Sequence, residues 1–166
     1  FYGSSYQVEM PFIEALTGIG ISLDSAQLYF RASELHGNLM ALNIETRAEN
    51  IAMAGSRIAT TPMKVDSVLL KLAIKLKPGS ICIDSTSTLS LNLLSTSFQS
   101  CYTLEKPPTL TLKLETATTS WQDLVESLPS GLFTHIAGMK LRGTFSYTLK
   151  AKVNLEIPDS LVIEPL

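Results

Sequence analysis

The chain has 166 residues, a length that suits one domain with a buried core. Hydrophobic residues make up 45% and charged residues 17%, against a typical charged fraction of about 25%. The formal net charge is −2 and the basic residues are scattered, which argues against nucleic-acid binding. Such a low fraction of charged residues is compatible with an apolar face that contacts a partner or a lipid.

The first twenty residues contain the pattern of a short helix. Pro11 lies near its start, Phe12 and Leu16 are helically spaced, and Gly18 stands where a glycine cap would lie. We predict this helix over residues 8–16 and expect 1–20 to be an N-terminal helical or linker segment. We expect residues 21–166 to form a single β-rich domain.

The chain opens at Phe1 on an apolar stretch, from which we expect a piece of a longer protein. It holds neither a run of about 18 apolar residues nor a signal-peptide pattern.

From Ile21 onward, the apolar residues recur with the period of two that is typical of strands. Two strands are predicted on either side of the turn signal His36-Gly37-Asn38. Ala54-Gly55-Ser56 indicates another turn, and Thr61-Pro62 is expected to interrupt strand pairing because proline donates no hydrogen bond to a ladder.

The middle of the chain predicts a hairpin with one apolar face and one face of Ser, Thr and Asn. Apolar residues take the even positions over 68–76, and Pro78-Gly79 supplies the turn. Over 81–93 the apolar residues take odd positions. Residues 95–108 are interpreted as a loop, and residues 110–114 as a further strand.

A helix is predicted from Ser120 onward. Ser120 and Asp123 form a pair similar to a capping box, and Pro129 ends the helix. Its apolar residues at helical spacing are Trp121, Leu124, Val125 and Leu128. Residues 132–136 predict a second short turn or helix closed by Gly138, and Trp121 is interpreted as a core anchor rather than a ligand-stacking residue.

The last predicted strand covers residues 141–157, with apolar residues at odd positions. At about 3.3 Å per residue it would span roughly 55 Å. We therefore predict a mainly β (α+β) fold, a long twisted antiparallel sheet of hairpins packed on one or two short helices.

The apolar strand faces have two interpretations. Either the sheet curls over the helix and buries them as an ordinary core, or part of the apolar face stays open as a groove. The candidate groove residues are Phe145, Tyr147, Leu149, Val153 and Leu155.

No motif with a catalytic mechanism is found, and we expect this domain not to be an enzyme and to hold no cofactor. His36 is interpreted as a solvated turn residue and His135 as a packing or capping residue, so no metal site is expected. Glu45 and Glu49 are interpreted as solvent-facing strand residues rather than a catalytic pair.

The two cysteines, Cys82 and Cys101, have no metal-binding or redox spacing. Two alternatives stay open: one disulfide in an oxidising compartment, or two unrelated buried thiols.

Two segments resemble bacterial envelope proteins. Ser120-Trp121 through Leu128-Pro129, then Leu132 and the run Gly138-Met139-Lys140-Leu141-Arg142-Gly143-Thr144-Phe145, resemble the region beside family-51 glycosyltransferase (transglycosylase) domains in penicillin-binding-protein-like chains. Val65-Asp66-Ser67-Val68 and residues 79–85 look like strand ladders of AsmA-like proteins, which that resemblance links to lipid handling and outer-membrane assembly. The glycosyltransferase's acidic active-site segments have no counterpart, so no catalytic residue is carried over.

The leading hypothesis is a non-catalytic accessory module of a bacterial cell-envelope protein, with a peptidoglycan glycosyltransferase chain as a candidate parent. The alternative is an AsmA-like domain for lipid binding, lipid transfer or outer-membrane assembly; an adhesin-like surface domain comes third. The resemblance implies a periplasmic location, a membrane-anchored parent, and envelope proteins or a lipid or lipid-linked substrate as partners.

Overall fold

A computed structural model describes residues 1–9, 18–35, 39–55, 59–129 and 138–165. Within these residues, nine strands form one antiparallel sheet in which each strand pairs with its neighbours in sequence. The elements are β1 (Tyr2–Glu9), β2 (Gly20–Leu35), β3 (Leu39–Gly55), β4 (Ala59–Lys77), β5 (Ser80–Leu91), β6 (Leu94–Thr103), β7 (Thr109–Ser120), α1 (Trp121–Ser127), β8 (Thr144–Asn154) and β9 (Ile157–Pro165). The predicted mainly β fold is confirmed.

The central hairpin forms as predicted. Pro78 and Gly79 make the turn between β4 and β5, and Lys77 pairs with Ser80 across it. Gly79 has a φ of 78°, a left-handed conformation that glycine adopts without a steric penalty.

Two boundary predictions are wrong in the second half of the sheet. Residues 95–103 of the predicted loop belong to β6, because Leu94, Phe98 and Tyr102 keep the period of two even though short polar residues separate them. The predicted strand over 141–157 is two strands, since the chain turns at Leu155 and Glu156 and returns as β9. Alternation continues through this turn, so the hydrophobic pattern alone did not reveal it.

The N-terminal prediction is wrong where the structure describes it. Residues 2–9 form β1, which pairs with β2 from Tyr2↔Tyr29 to Glu9↔Ser22, so Val8 lies in a strand. The rest of the predicted helix, the turn at His36-Gly37-Asn38, Ser56 of the predicted turn at Ala54-Gly55-Ser56, and the second short turn or helix at 132–136 lie outside the described residues. At Thr61-Pro62 the predicted interruption of pairing is confirmed: Met63 and Ala59 pair with β3, residues 60–62 between them do not, and β4 continues through Pro62.

The regular backbone geometry of the strands is interrupted at neighbouring positions of β1 and β3. Gln7 and Asn50 have positive φ angles of 52°, and Asn50 Nδ2 donates to Asp24 Oδ2 at 2.8 Å. Such residues reverse the alternation of side chains along a strand. Accordingly, the apolar positions of β3 change from even to odd at Asn50, and Ile51 pairs with Val65 of β4.

The helix α1 is fixed at both ends. Ser120 Oγ accepts the Asp123 backbone N–H at 2.9 Å, as the capping pattern predicted. At the other end the buried Ser127 hydroxyl accepts the Leu93 N–H at 3.1 Å. Hence α1 reaches from the start of β8 to the β5–β6 turn and lies across one end of the sheet.

The sheet is a single layer over most of its area. The solvent-accessible area of the whole chain is 11192 Å², whereas a compact monomer of 18.1 kDa exposes about 8,100 Å². Among the described residues, strands make substantial contacts only with their neighbours in the sheet, and α1 only with β6 and β7. Only Leu23, Met63 and Val65 are buried apolar residues in this part of the chain.

Candidate functional site

One side of the sheet is predominantly apolar. Pairing places Leu76 of β4 opposite Ile81 of β5, and Leu114 of β7 opposite Leu149 of β8. Because residues paired across antiparallel strands point to the same side, these pairs define one surface. We call it the apolar face; from β3 to β8 its apolar members are Met40, Leu42, Ile44, Ala48, Val68, Leu70, Leu72, Ile74, Leu76, Ile81, Ile83, Leu89, Leu91, Leu94, Phe98, Tyr102, Leu110, Leu112, Leu114, Phe145, Tyr147, Leu149, Ala151 and Val153.

None of these side chains is buried. Met40, Ile81, Leu89, Leu110 and Tyr147 expose more than a third of their surface, and the others are half-buried by their neighbours within the sheet. Soluble monomers rarely expose contiguous apolar patches beyond a few hundred Å². The apolar face is much broader than that, because it crosses six strands spaced about 4.8 Å apart.

An aromatic ladder stands at the α1 end of the apolar face. Trp121 stacks on Phe145 with ring centroids 4.5 Å apart, and Phe145 lies parallel to Tyr147 at 6.4 Å. Gly143 permits this arrangement because its φ is 102°, a conformation that glycine adopts readily, and Trp121 N donates to Gly143 O at 3.1 Å. The ladder is defined as Trp121, Phe145 and Tyr147.

Trp121 is 42% exposed, so the prediction that it anchors the core is wrong. Phe145 covers one side of its ring, and no strand on the far side completes a core in the described part of the chain.

Hydroxyl groups adjoin the ladder. Thr96 Oγ1 lies 3.0 Å from the buried Thr116 Oγ1 and 3.5 Å from the Tyr147 hydroxyl. The longer distance is at the limit of a hydrogen bond. The Tyr147 hydroxyl, on a side chain that is 39% exposed, can therefore bond to a ligand with little loss.

The structure brings four of the five predicted groove residues together. Phe145, Tyr147, Leu149 and Val153 lie on one side of β8, whereas Leu155 lies in the β8–β9 turn and is exposed. The prediction omitted the matching leucines of β7, which their own alternation at 110, 112 and 114 could have revealed.

A disulfide joins Cys82 and Cys101 on the opposite, polar side of the sheet. The two residues are paired directly across β5 and β6, with their Cα atoms 4.0 Å apart. Of the two alternatives from the sequence, the structure has the disulfide.

The polar side carries exposed ion pairs. Lys75 Nζ donates to Asp84 Oδ2 at 2.6 Å, and this bond, together with the Thr86 backbone N–H, holds the pKa of Asp84 below its usual value. Glu45 lies 3.8 Å from Lys71, and Glu49 accepts from Ser25 Oγ at 3.2 Å. These contacts match the interpretation of both glutamates as surface residues.

A depression of about 490 Å³ on the polar side lies between β6 and β9. Its charged lining is Lys113, Lys150, Lys152 and Glu164. Lys113 is paired with Glu115 at 2.6 Å.

The described residues contain no group of three or more His, Cys, Asp or Glu side chains able to hold a metal ion. His36 and His135 lie outside these residues. No helix in the described ranges is long and apolar enough to cross a membrane.

Comparisons of the chain with protein-family models, with curated proteins and with solved structures found no match.

Proposed function

We propose that this chain is a non-catalytic module of a bacterial cell-envelope protein and that its apolar face holds the acyl chains of a lipid. The observation that carries the proposal is the apolar face, whose side chains are at most half-buried and over which no second sheet packs among the described residues. Burial of apolar surface is worth about 25 cal/mol per Å², so a face of this breadth gains considerable free energy from an apolar cover. An acyl chain supplies such a cover without requiring hydrogen-bond partners.

The chemistry of the face favours hydrocarbon. Its members from β3 to β8 are aliphatic and aromatic, interrupted by small hydroxyl residues such as Thr46, Thr96 and Ser100. The ionised residues of β4 and β7, such as Lys71, Lys75 and Lys113, stand at the alternate positions and lie on the other side. A protein partner normally also meets a polar rim with matched hydrogen bonds.

The shape of the face also supports a lipid. From Phe145 to Val153 the side of β8 runs about 26 Å, at about 3.3 Å per residue. One leaflet of a bilayer has about 15 Å of hydrocarbon, half of the roughly 30 Å core. An extended acyl chain therefore fits along β7 and β8 without leaving the apolar face.

The disulfide supports an envelope location. Disulfides persist in the periplasm and in other oxidising compartments and are rare in the cytosol. Together with the resemblance to AsmA-like strand ladders, the Cys82–Cys101 bond favours a periplasmic module of a membrane-anchored parent.

Membership of a peptidoglycan glycosyltransferase chain remains part of the proposal through the resemblance around α1 and the start of β8. In that setting the lipid would be the lipid-linked substrate of the parent enzyme, or a membrane lipid beside it.

Native mass spectrometry of the gently purified protein tests the proposal. We expect a mass increment of a phospholipid or another long-chain lipid on the wild-type protein. Leu149→Asp places a charge on the apolar face and should remove the increment. Ser146→Asp places the same charge on the polar side of β8 and should preserve it. A wild-type protein that stays free of lipid after incubation with phospholipid vesicles would contradict the proposal.

A further inference from the structure

The β7–β8 part of the apolar face changes in polarity along its length. Three successive cross-strand pairs are purely apolar: Leu110↔Val153, Leu112↔Ala151 and Leu114↔Leu149. The next pair, Thr116↔Tyr147, carries two hydroxyls, and Thr119 and Phe145 follow it. The surface thus passes from hydrocarbon to a mixed aromatic and hydroxyl end within about five residues of strand.

The ladder occupies the polar end of this gradient. Trp and Tyr combine an apolar ring with a hydrogen-bonding group and therefore favour the boundary between hydrocarbon and water. Both outer rings of the ladder, Trp121 and Tyr147, are substantially exposed. Trp121 is the first residue of α1, and Asp123 lies in the same first turn.

The opposite end of the β7–β8 part of the apolar face, which we call the β7–β8 strip, differs in its side chains. Leu110 is exposed, and Val153 is half-buried beside it. The Leu155 backbone N–H donates to Pro108 O at 2.9 Å. These backbone groups therefore bond to each other, and the bond places no polar side chain on this part of the apolar face. Among the described residues, the hydroxyl nearest this end on the apolar face is that of Tyr102 on β6, which pairs with Leu110. The β7–β8 pairs at this end carry no hydroxyl, whereas the ladder end combines Trp121, Tyr147 and Thr116.

From this gradient we infer that the lipid lies in one direction on the sheet, with its polar head and ester region at the ladder and its acyl chain along the leucines of β7 toward Leu110 and Val153. This inference rests on the proposed function and adds the orientation of the ligand. The ladder becomes the headgroup subsite: Trp121 and Tyr147 pack against the ester region, and the Tyr147 hydroxyl donates to an ester carbonyl.

Trp121 provides a direct test because it is the single tryptophan of the chain. Bromine on a lipid chain quenches indole fluorescence at contact range. Purified protein would be loaded with phosphatidylcholine brominated either near the ester or near the terminal methyl group. We expect Trp121 to lose most of its fluorescence with the first lipid and little with the second.

A transplanted tryptophan is the matched control. In the double variant Trp121→Phe, Leu110→Trp, the fluorophore stands at the far end of the strip while the ladder keeps an aromatic ring. We expect the pattern to reverse, with the stronger loss coming from bromine near the terminal methyl group. Equal quenching by both lipids in both proteins, or the opposite pattern, would overturn the orientation.

A wrong orientation can be distinguished from a wrong proposed function because native mass spectrometry of the same samples shows whether lipid is bound. If the protein carries lipid and quenching does not depend on the bromine position, the orientation is wrong and the proposed function is unaffected. A protein that carries no lipid defeats both. Tyr147→Phe, which keeps the ring and removes the hydroxyl, should lower the retained fraction of lipid without changing the quenching pattern.

Discussion

Two regions of the sheet contain similar apolar side chains but bury them to different extents. In the first, which we call the corner, Leu23, Met63 and Val65 are buried to 6%, 5% and 3% exposure. In the second, the β7–β8 strip, Leu112, Leu114 and Leu149 follow equally regular alternation and are only half-buried. The same pattern of apolar residues thus indicates which side of a strand is apolar, but not whether that side is covered.

The strand end beside the corner also has a close backbone approach. A Cβ on Gly55 would come within 2.9 Å of Gly18 O, so the strand end passes directly against residues 18 and 19. In the strip, by contrast, the only described element beyond the sheet is α1, which lies across its end. The corner side chains are buried and contribute to stability, whereas the strip side chains stay partly exposed.

The largest expected effect is at the corner. Val65→Asp places an unpaired charge in a buried position, and we expect the free energy of unfolding to fall by about 3–4 kcal/mol. Denaturant unfolding followed by circular dichroism measures the change. Lys64→Asp, on the exposed neighbour, is the control; similar losses in the two variants would mean that the corner is not a packed region.

The disulfide should contribute the next largest effect. Cys82 and Cys101 enclose a loop with a sequence separation of 19, for which loop closure predicts about 3 kcal/mol. We expect Cys101→Ser to lower the denaturant midpoint accordingly, and a reducing agent to do the same to the wild-type protein and nothing further to the variant. Two free thiols in the native, unreduced protein would contradict the bond.

A charge on the strip should have a much smaller effect on folding. Leu149→Asp leaves the new carboxylate in contact with water, so we expect a loss of about 1 kcal/mol or less. The measurement is the same unfolding curve, with Ser146→Asp as the control. Unfolding of Leu149→Asp under native conditions would show that the apolar face is a closed core and would remove the contrast between the two regions.

The smallest effect belongs to the surface pair of Asp84 and Lys75. Because the pKa of Asp84 is lowered in the folded protein, its contribution is present above the unfolded pKa of about 3.9 and is lost as the pH falls below that value. We expect Asp84→Asn to shift the denaturant midpoint slightly at neutral pH and not at pH values below the folded pKa. An equal shift at all pH values would show that the ionised carboxylate is not responsible.

The sequence predicted the mainly β fold and the apolar side of β8 because alternation is local and regular there. It also predicted the cap of α1 from Ser120 and Asp123. It missed β6, whose apolar residues are spaced by serines and threonines, and it merged β8 with β9 because Leu155 preserves the alternation through a turn.

The candidate site was only partly predictable for a physical reason. Strand alternation identifies members of a face one strand at a time, whereas the apolar face arises from the register of six strands. The ladder could not be predicted from spacing, because Trp121 meets Phe145 only through the close approach of α1 to Gly143. Whether a face is covered depends on long-range packing, for which Trp121 gave the wrong indication.

The central claim, that acyl chains lie on the apolar face and not on the polar side, can be tested at two adjacent residues. Leu112 lies on the apolar face of β7, and Thr111 lies on the other side of the same strand. A photocrosslinking amino acid would replace each in turn in the protein mixed with phospholipid vesicles. The account predicts lipid adducts by mass spectrometry at 112 and none at 111; equal labelling at both positions, or none at 112, would contradict it.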